Sequence, residues 1–180
     1  MTVLPTVLVL ASGRGARFAA SGGTVHKLQA NLAGKPVLQH TLDAVHASGL
    51  PWHVEDVGHA GMGDSIAAAV RATSDAAGWL ILPGDLPLVQ PDTLRWIASA
   101  APSRVLVPVY HGQRGHPVRF SAECGEELMS LKGEKGAAQV LFAYAAVNLV
   151  AFLTVDDVGI ITDIDTLDDL QRAHAVLAGR

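Results

Sequence analysis

An α/β domain with a mostly parallel sheet is the fold class this chain predicts, and three observations predict it. Apolar runs of strand length alternate with longer segments of helical period along the 180 residues. The first run, residues 6–11 (TVLVLA), offers apolar side chains to both faces, as a central parallel strand must. A hydrophobic fraction of 49% against 17% charged residues suffices to bury a full core and is too apolar for a disordered chain. Residues 1–180 read as one domain, because no internal repeat, linker or charge block divides them.

The elements follow in order. After the first strand, residues 12–33 form a long loop rich in Gly, Arg and Lys, a length that usually signals function. Residues 36–47 read as a helix with Pro36 in its first turn and Val37, Leu38, Leu42 and Val45 on one face. A second strand is expected over 52–57. Asp64 or Ser65 then caps a helix running to about Ala77 through Ile66, Ala69 and Val70. Residues 79–82 form a short buried strand that stops at Pro83-Gly84-Asp85, residues 91–100 a helix and 105–109 a strand. Residues 116–120 are extended, 123–131 and 137–144 helical, and 147–154 the last strand. Thr166-Leu167-Asp168-Asp169 matches a capping box with Asp in place of Glu, opening a helix with Leu167, Leu170, Ala173 and Leu177 on its apolar face.

Composition narrows the function. Thirteen Lys+Arg against seventeen Asp+Glu, a formal net charge of -4, give no basic surface for nucleic acid. The single cysteine, Cys124, excludes an internal disulfide and any CxxC metal site, which suits a reducing compartment and makes the cytoplasm the expected location. The apolar start MTVLPTVLVLAS lacks a basic leader region and ends at Ser12-Gly13-Arg14, too early for a signal peptide or membrane span, so no membrane partner is expected.

Several segments can carry chemistry. The loop Leu10-Ala11-Ser12-Gly13-Arg14-Gly15-Ala16-Arg17-Phe18, with Lys27 beyond it, puts Gly-x-Gly and cations at the carboxyl end of a strand. Ligands bind there in open α/β sheets, and glycines let backbone N–H groups approach phosphate oxygens. It is not the dinucleotide fingerprint, whose third Gly is replaced by Phe18. Gly34-Lys35 is not a Walker A end either, because Pro36 stands where Ser or Thr is needed. Leu80-Ile81-Leu82-Pro83-Gly84-Asp85 delivers one carboxylate to the same sheet edge; Mg²⁺ needs only one or two besides substrate phosphates, although an Asx-turn would also use Asp85. Asp163 and Asp165 fall on one side of an extended segment and would repel without a cation between them, while Asp165 and Thr166 also fit as caps of the last helix. Gly112-Gln113-Arg114-Gly115-His116-Pro117 is a hairpin turn or a donor loop for an anionic substrate, and Gly61-Met62-Gly63-Asp64-Ser65 is a Gly-rich helix entrance. His40, His46, His53, His59, His111 and His174 show no zinc spacing and read as surface or interface residues, and Cys124 reads as a small core hydrophobe.

Taken in order, LASGRGARF with Lys27 and LAGKP, then GMGDSIAAAV, LILPGDLPLV, GQRGHPVRF, GEKGA and DIDTLDDL, the chain resembles the MobA-like nucleotidyltransferases over nearly its whole length, most closely the molybdenum cofactor cytidylyltransferases. The resemblance implies a Rossmann-like three-layer α/β/α nucleotidyltransferase fold with a nucleoside triphosphate on the first loop. Leu10, Ala11, Ser12, Gly13, Arg14, Gly15, Arg17 and Lys27 would hold the nucleotide, with Gly63 and Ser65 near base or ribose. Arg17, Lys27 and Asp85 would be catalytic, Asp85 with Asp163 or Asp165 would bind Mg²⁺, and Arg114, Gly115 and His116 would face the pterin. The implied partners are CTP, molybdopterin or molybdenum cofactor, and a molybdoenzyme as candidate recipient.

Two departures stand out. Ser12 occupies a loop position associated with base choice, which leaves CTP and GTP open, and the 49–61 stretch is shorter than in the relatives, as if a βα unit were missing. The implied reaction is attack of a substrate phosphate oxygen on the α-phosphorus of CTP with loss of pyrophosphate. Guanylyl transfer, a sugar-phosphate acceptor, and a non-catalytic nucleotide- or pterin-binding accessory protein for molybdoenzyme maturation are the competing readings.

Overall fold

The computed structural model describes residues 4–179. In it β1 (Thr6–Leu10) lies between β4 (Trp52–Glu55) and β5 (Gly78–Pro83), parallel to both. The sheet continues through β8 (Val118–Ser121), antiparallel to its neighbours, to β6 (Val105–Tyr110), which also carries the short β7 (Gln113–Arg114) and, parallel on its far side, β9 (Val150–Thr154). Five strands thus run one way, with β7 and β8 opposed.

Strand alternation builds the three layers. Leu8, Leu10 and Ile81 point to the face covered by α3 (Met62–Ala72), α5 (Gly125–Met129) and α6 (Ala138–Ala146). Val7, Val9, Leu80 and Leu82 point to the face covered by α2 (Val37–Ser48) and α4 (Pro91–Ser99). A third cluster joins Phe18 of α1 (Ala16–Ala20), Leu28 and Leu32 to α7 (Leu167–Ala178). The residues of β1 after Thr6 are buried on both sides, which explains their unbroken apolar run. Among the described residues no helix is long and apolar enough to cross a membrane.

Several expectations need correction. The segment expected to be one loop folds: it contains α1, a 3₁₀ turn at Lys27–Gln29 and a hairpin of β2 (Asn31–Leu32) with β3 (Lys35–Pro36). Pro36 precedes α2 rather than opening it, and α2 ends at Gly49 in the left-handed conformation. The third helix starts at Met62, two residues before Asp64, and stops at Ala72. The Asp64 carboxylate instead accepts from the Gly133 N–H at 2.9 Å. The last helix begins as read: Thr166 accepts from the Asp169 N–H, and the Asp169 side chain accepts from the Thr166 N–H. Residues 56–61 link β4 directly to α3, without a further helix.

Candidate active site

Three strand ends are tied together at their carboxyl edge. The Ala11 N–H donates to Glu55 O at 2.8 Å and the Gly84 N–H to Leu10 O at 2.9 Å, so the loops leaving β1, β4 and β5 open into one crevice. The chain then turns through Gly13 and Gly15, the latter at φ 65°, a conformation glycine adopts without penalty. His26 holds that turn. Its Nε2 donates to Gly13 O at 2.6 Å, while its Nδ1 accepts from the Leu28 N–H at 3.2 Å. The same residue caps the 3₁₀ turn that carries Lys27, so the glycine loop and the lysine are coupled through one imidazole.

The Lys27 ammonium lies 2.5 Å from Asp85 Oδ2 and 2.9 Å from Asp165 Oδ1, and Arg17 reaches Asp165 Oδ2 at 2.6 Å. These side chains come from α1, the 3₁₀ turn at Lys27–Gln29, the turn that follows β5 and the residue preceding α7's cap. With Asp169 occupying the capping box, Asp165 turns toward the cations. Desolvation pulls the Lys27 ammonium down, but Asp85 and Asp165 together outweigh it and hold its pKa above the usual lysine value. Asp163, on the same cleft wall, is pushed up by desolvation, reinforced by Asp85 and Asp165. His116 is open to the cleft along part of its surface, yet the protein around its imidazole desolvates it and lowers its pKa, with Asp85 opposing.

Asp85 Oδ1 is buried and meets no hydrogen-bond donor. An orphaned carboxylate oxygen beside a second carboxylate suits a hard divalent cation that takes its remaining ligands from phosphates. No cage of three or more His, Cys, Asp or Glu exists among the described residues.

Three cavities meet at this point. The first, about 330 Å³, is lined by Ser12–Arg17, Lys27, His59–Met62, Ser65, Glu134 and Asp165. It joins a cleft of about 330 Å³ that holds Asp85, Asp163, Asp165, Arg114, Gly115 and His116. Beyond the Arg114–His116 wall lies a third, of about 360 Å³, lined mainly by apolar side chains such as Ile66, Ile81, Val107 and Phe120, with Lys135 beside them. Gly115 places that wall: a Cβ there would come within 2.4 Å of Ile160 O, and the His116 N–H donates to the same carbonyl at 2.9 Å.

Most sequence-selected residues therefore converge, with exceptions. Leu10 lines the apolar cavity instead of the first one, and Ala11 lines none of the three, its N–H being spent on Glu55. Gly63 is buried, its N–H donates to Gly133 O at 2.7 Å, and a Cβ there would meet Lys132 backbone at 2.9 Å. It packs the first turn of α3 against residues 132–133 and lines none of the three cavities. Conversely, His59, read as a surface or interface residue, lines the first cavity, and Met62 borders all three. The ties of His26 and His59 reach Gly13 and a buried Glu55, contacts that residue spacing does not reveal.

Residues 44–147 match the MobA-like NTP transferase domain. The chain belongs to that family. Among its relatives, the purine catabolism protein PucB of Bacillus subtilis (strain 168) is 31% identical over 128 residues, 70% of this chain and 62% of PucB. The bifunctional protein GlmU of Desulfitobacterium hafniense (strain DSM 10664 / DCB-2) is 29% identical over 109 residues, 49% of this chain and 23% of GlmU. The chain thus spans less than two thirds of the length of either. The crystal structure of Rv0371c from Mycobacterium tuberculosis H37Rv superposes with a TM-score of 0.78 at 27% identity, over 95% of this chain and 98% of that one. Its manganese complex superposes at 0.72 with 26% identity, over 94% and 97%. Molybdopterin-guanine dinucleotide biosynthesis protein A from Archaeoglobus fulgidus shares the fold at a TM-score of 0.65, 18% identity, 97% and 100% coverage.

Proposed function

We propose that this MobA-like domain transfers a cytidylyl group from CTP to the terminal phosphate of molybdopterin or molybdenum cofactor, releasing pyrophosphate. The observation that carries the reading is the Lys27 bridge between Asp85 and Asp165, with Asp85 Oδ1 unpartnered, at the junction of a glycine-loop cavity and an apolar one. The choice of CTP rests on the resemblance of the six motifs to the cytidylyltransferases.

The triphosphate enters along Gly13–Arg17, where backbone N–H groups, Arg17 and Lys27 meet its oxygens. The acceptor ring occupies the apolar cavity, and Arg114 and Lys135 draw its phosphate toward the cleft. A phosphate monoester is already ionised at neutral pH, so no side chain has to remove a proton or form a covalent intermediate. The residues act by bringing two polyanions together and neutralising the charge that gathers on the α-phosphate and pyrophosphate. His116, held toward its neutral form, lends a hydrogen bond at the acceptor side without adding charge. Asp85 and Asp165, with Asp163 beside them, would hold a magnesium ion, which when bound supplies Lewis-acid polarisation of the phosphates.

The test is transfer of label from [α-³²P]CTP to molybdenum cofactor. The wild type is expected to form a labelled dinucleotide and Asp85→Asn to lose it while melting like the parent. Equal transfer by a folded Asp85→Asn protein would overturn the assignment.

A further inference from the structure

Nucleotidyl transfer makes no use of Glu55, yet Glu55 is 7% exposed at the end of β4. A carboxylate that has lost its water must be met by donors. Here the donors are two imidazoles: His59 Nε2 at 3.0 Å from Oε1 and His53 Nε2 at 3.5 Å from Oε2. His59 in turn lines the glycine-loop cavity, at the end formed by Ser12, Ala60, Gly61 and Ser65. Arg17, Lys27 and Asp165 gather at the other end, and Arg14 and Glu134 also line the cavity. A triphosphate lodged beside Arg17 and Lys27 leaves ribose and base to the end where His59, Ser12 and Ser65 stand. Ser12 Oγ and Ser65 Oγ stand 2.6 Å apart there, two hydroxyls that adapt as donor or acceptor.

We propose that His59, oriented by Glu55, reads the nucleobase and selects one that carries an exocyclic amino group. The inference rests on the nucleotidyl-transfer reading and adds a specificity-determining residue to it. The chemistry is that of the imidazole. When Nε2–H donates to the Glu55 carboxylate, the neutral ring keeps a lone pair on Nδ1, and among the described residues no donor meets it. An acceptor at that position pairs with an amino group, such as N4 of cytosine. Uracil presents a carbonyl oxygen at the same place, and two acceptors facing each other leave both unsatisfied. The buried carboxylate thereby acts at a distance: it fixes which imidazole nitrogen carries the proton and so which base is welcome.

The experiment is calorimetric binding of Mg·CTP and Mg·UTP, and of the purine pair ATP and ITP, which differ in the same way, to the whole protein. No acceptor is present, so chemistry does not intervene. The wild type should favour the amino-bearing member of a pair by about tenfold, the scale of one hydrogen bond with its partner left unmet. His59→Phe, which keeps the ring and removes the acceptor, should bring that ratio close to one while both nucleotides still bind through the loop. Glu55→Gln, whose amide oxygen still accepts from Nε2–H, should keep the preference, and Glu55→Leu should lose it. An unchanged ratio in His59→Phe, no preference in the wild type, or a preference for UTP and ITP would each overturn the proposal. Absence of binding by every nucleotide would instead remove the nucleotidyl-transfer reading on which it stands.

Discussion

Replacing Lys27 with Met removes the cation that two carboxylates share, and its consequences can be worked through. At 2.5 and 2.9 Å each ion pair is worth about 6 kcal/mol of Coulomb attraction at an effective dielectric near 20, most of it offset by desolvation of the three groups. Removing the lysine alone forfeits the attraction and keeps the desolvation, leaving Asp85, Asp163 and Asp165 facing one another. Breaking a buried pair in this way costs about 3–5 kcal/mol. At about 2–4 °C per kcal/mol for a chain of this size, the melting temperature should fall by about 6–20 °C. Lys27→Met with Asp165→Asn should recover part of that loss, because the repulsion goes with the second charge. Lys27 is raised above the usual 10.5, so its contribution is whole below that value and fades only as pH rises through the raised one. Its titration therefore leaves the melting difference flat from pH 6 to 9. Turnover suffers as well: a positioned cation at a developing phosphate charge contributes about 10²–10³ in rate, or about 3–4 kcal/mol. Calorimetric melting and initial rates of pyrophosphate release at 25 °C read the two effects separately. A Lys27→Met protein that melts like the parent, or that is folded and turns over at the parental rate, would refute the reasoning.

Other perturbations test the scaffold. Gly115→Ala brings a methyl to 2.4 Å from Ile160 O, so the Arg114–His116 wall must shift; acceptor KM should rise about tenfold or more for a displaced anchoring contact, with nucleotide affinity unchanged by calorimetry. Arg119 is buried and donates to the carbonyls of Ile97, Ala100 and Ala101 at the end of α4; Arg119→Met leaves them unmet and should cost about 3 kcal/mol in urea unfolding. For Asp169, desolvation raises the pKa, but Thr166, two backbone N–H groups and Arg172 outweigh it and hold the carboxyl below the usual 3.8. Its stabilisation is present above that value and is lost as pH falls through the lower folded one, so Asp169→Asn should be about 1 kcal/mol less stable at pH 7, a difference that narrows as the pH is lowered below 3.8.

The framework of the fold was readable because its strands and helices are long enough to show a period. β1, β5 and β6 announce themselves as apolar runs, and Thr166–Asp169 marks α7 by a local exchange of hydrogen bonds. The five-residue α1 and the hairpin of Asn31–Leu32 with Lys35–Pro36 were not, since they contain too few residues for a helical period or a strand run and pack with α7 in one cluster. Asp64 has the composition of a cap, but Gly133 takes its carboxylate. The site divides in the same way. Lys27, Asp85 and Asp165 sit in motifs and could be named one by one, whereas the contacts that unite them span 58 and 138 positions. His59 was missed because its significance lies in a buried carboxylate and a cavity, neither of which has a spacing rule.

The central claim is tested most directly by pyrophosphate release from the purified protein with Mg²⁺ and each of CTP, GTP, ATP and UTP, with and without molybdenum cofactor. The account predicts release with CTP that requires the cofactor and disappears in Asp85→Asn. Failure of every nucleotide to yield pyrophosphate in the presence of the cofactor would contradict it.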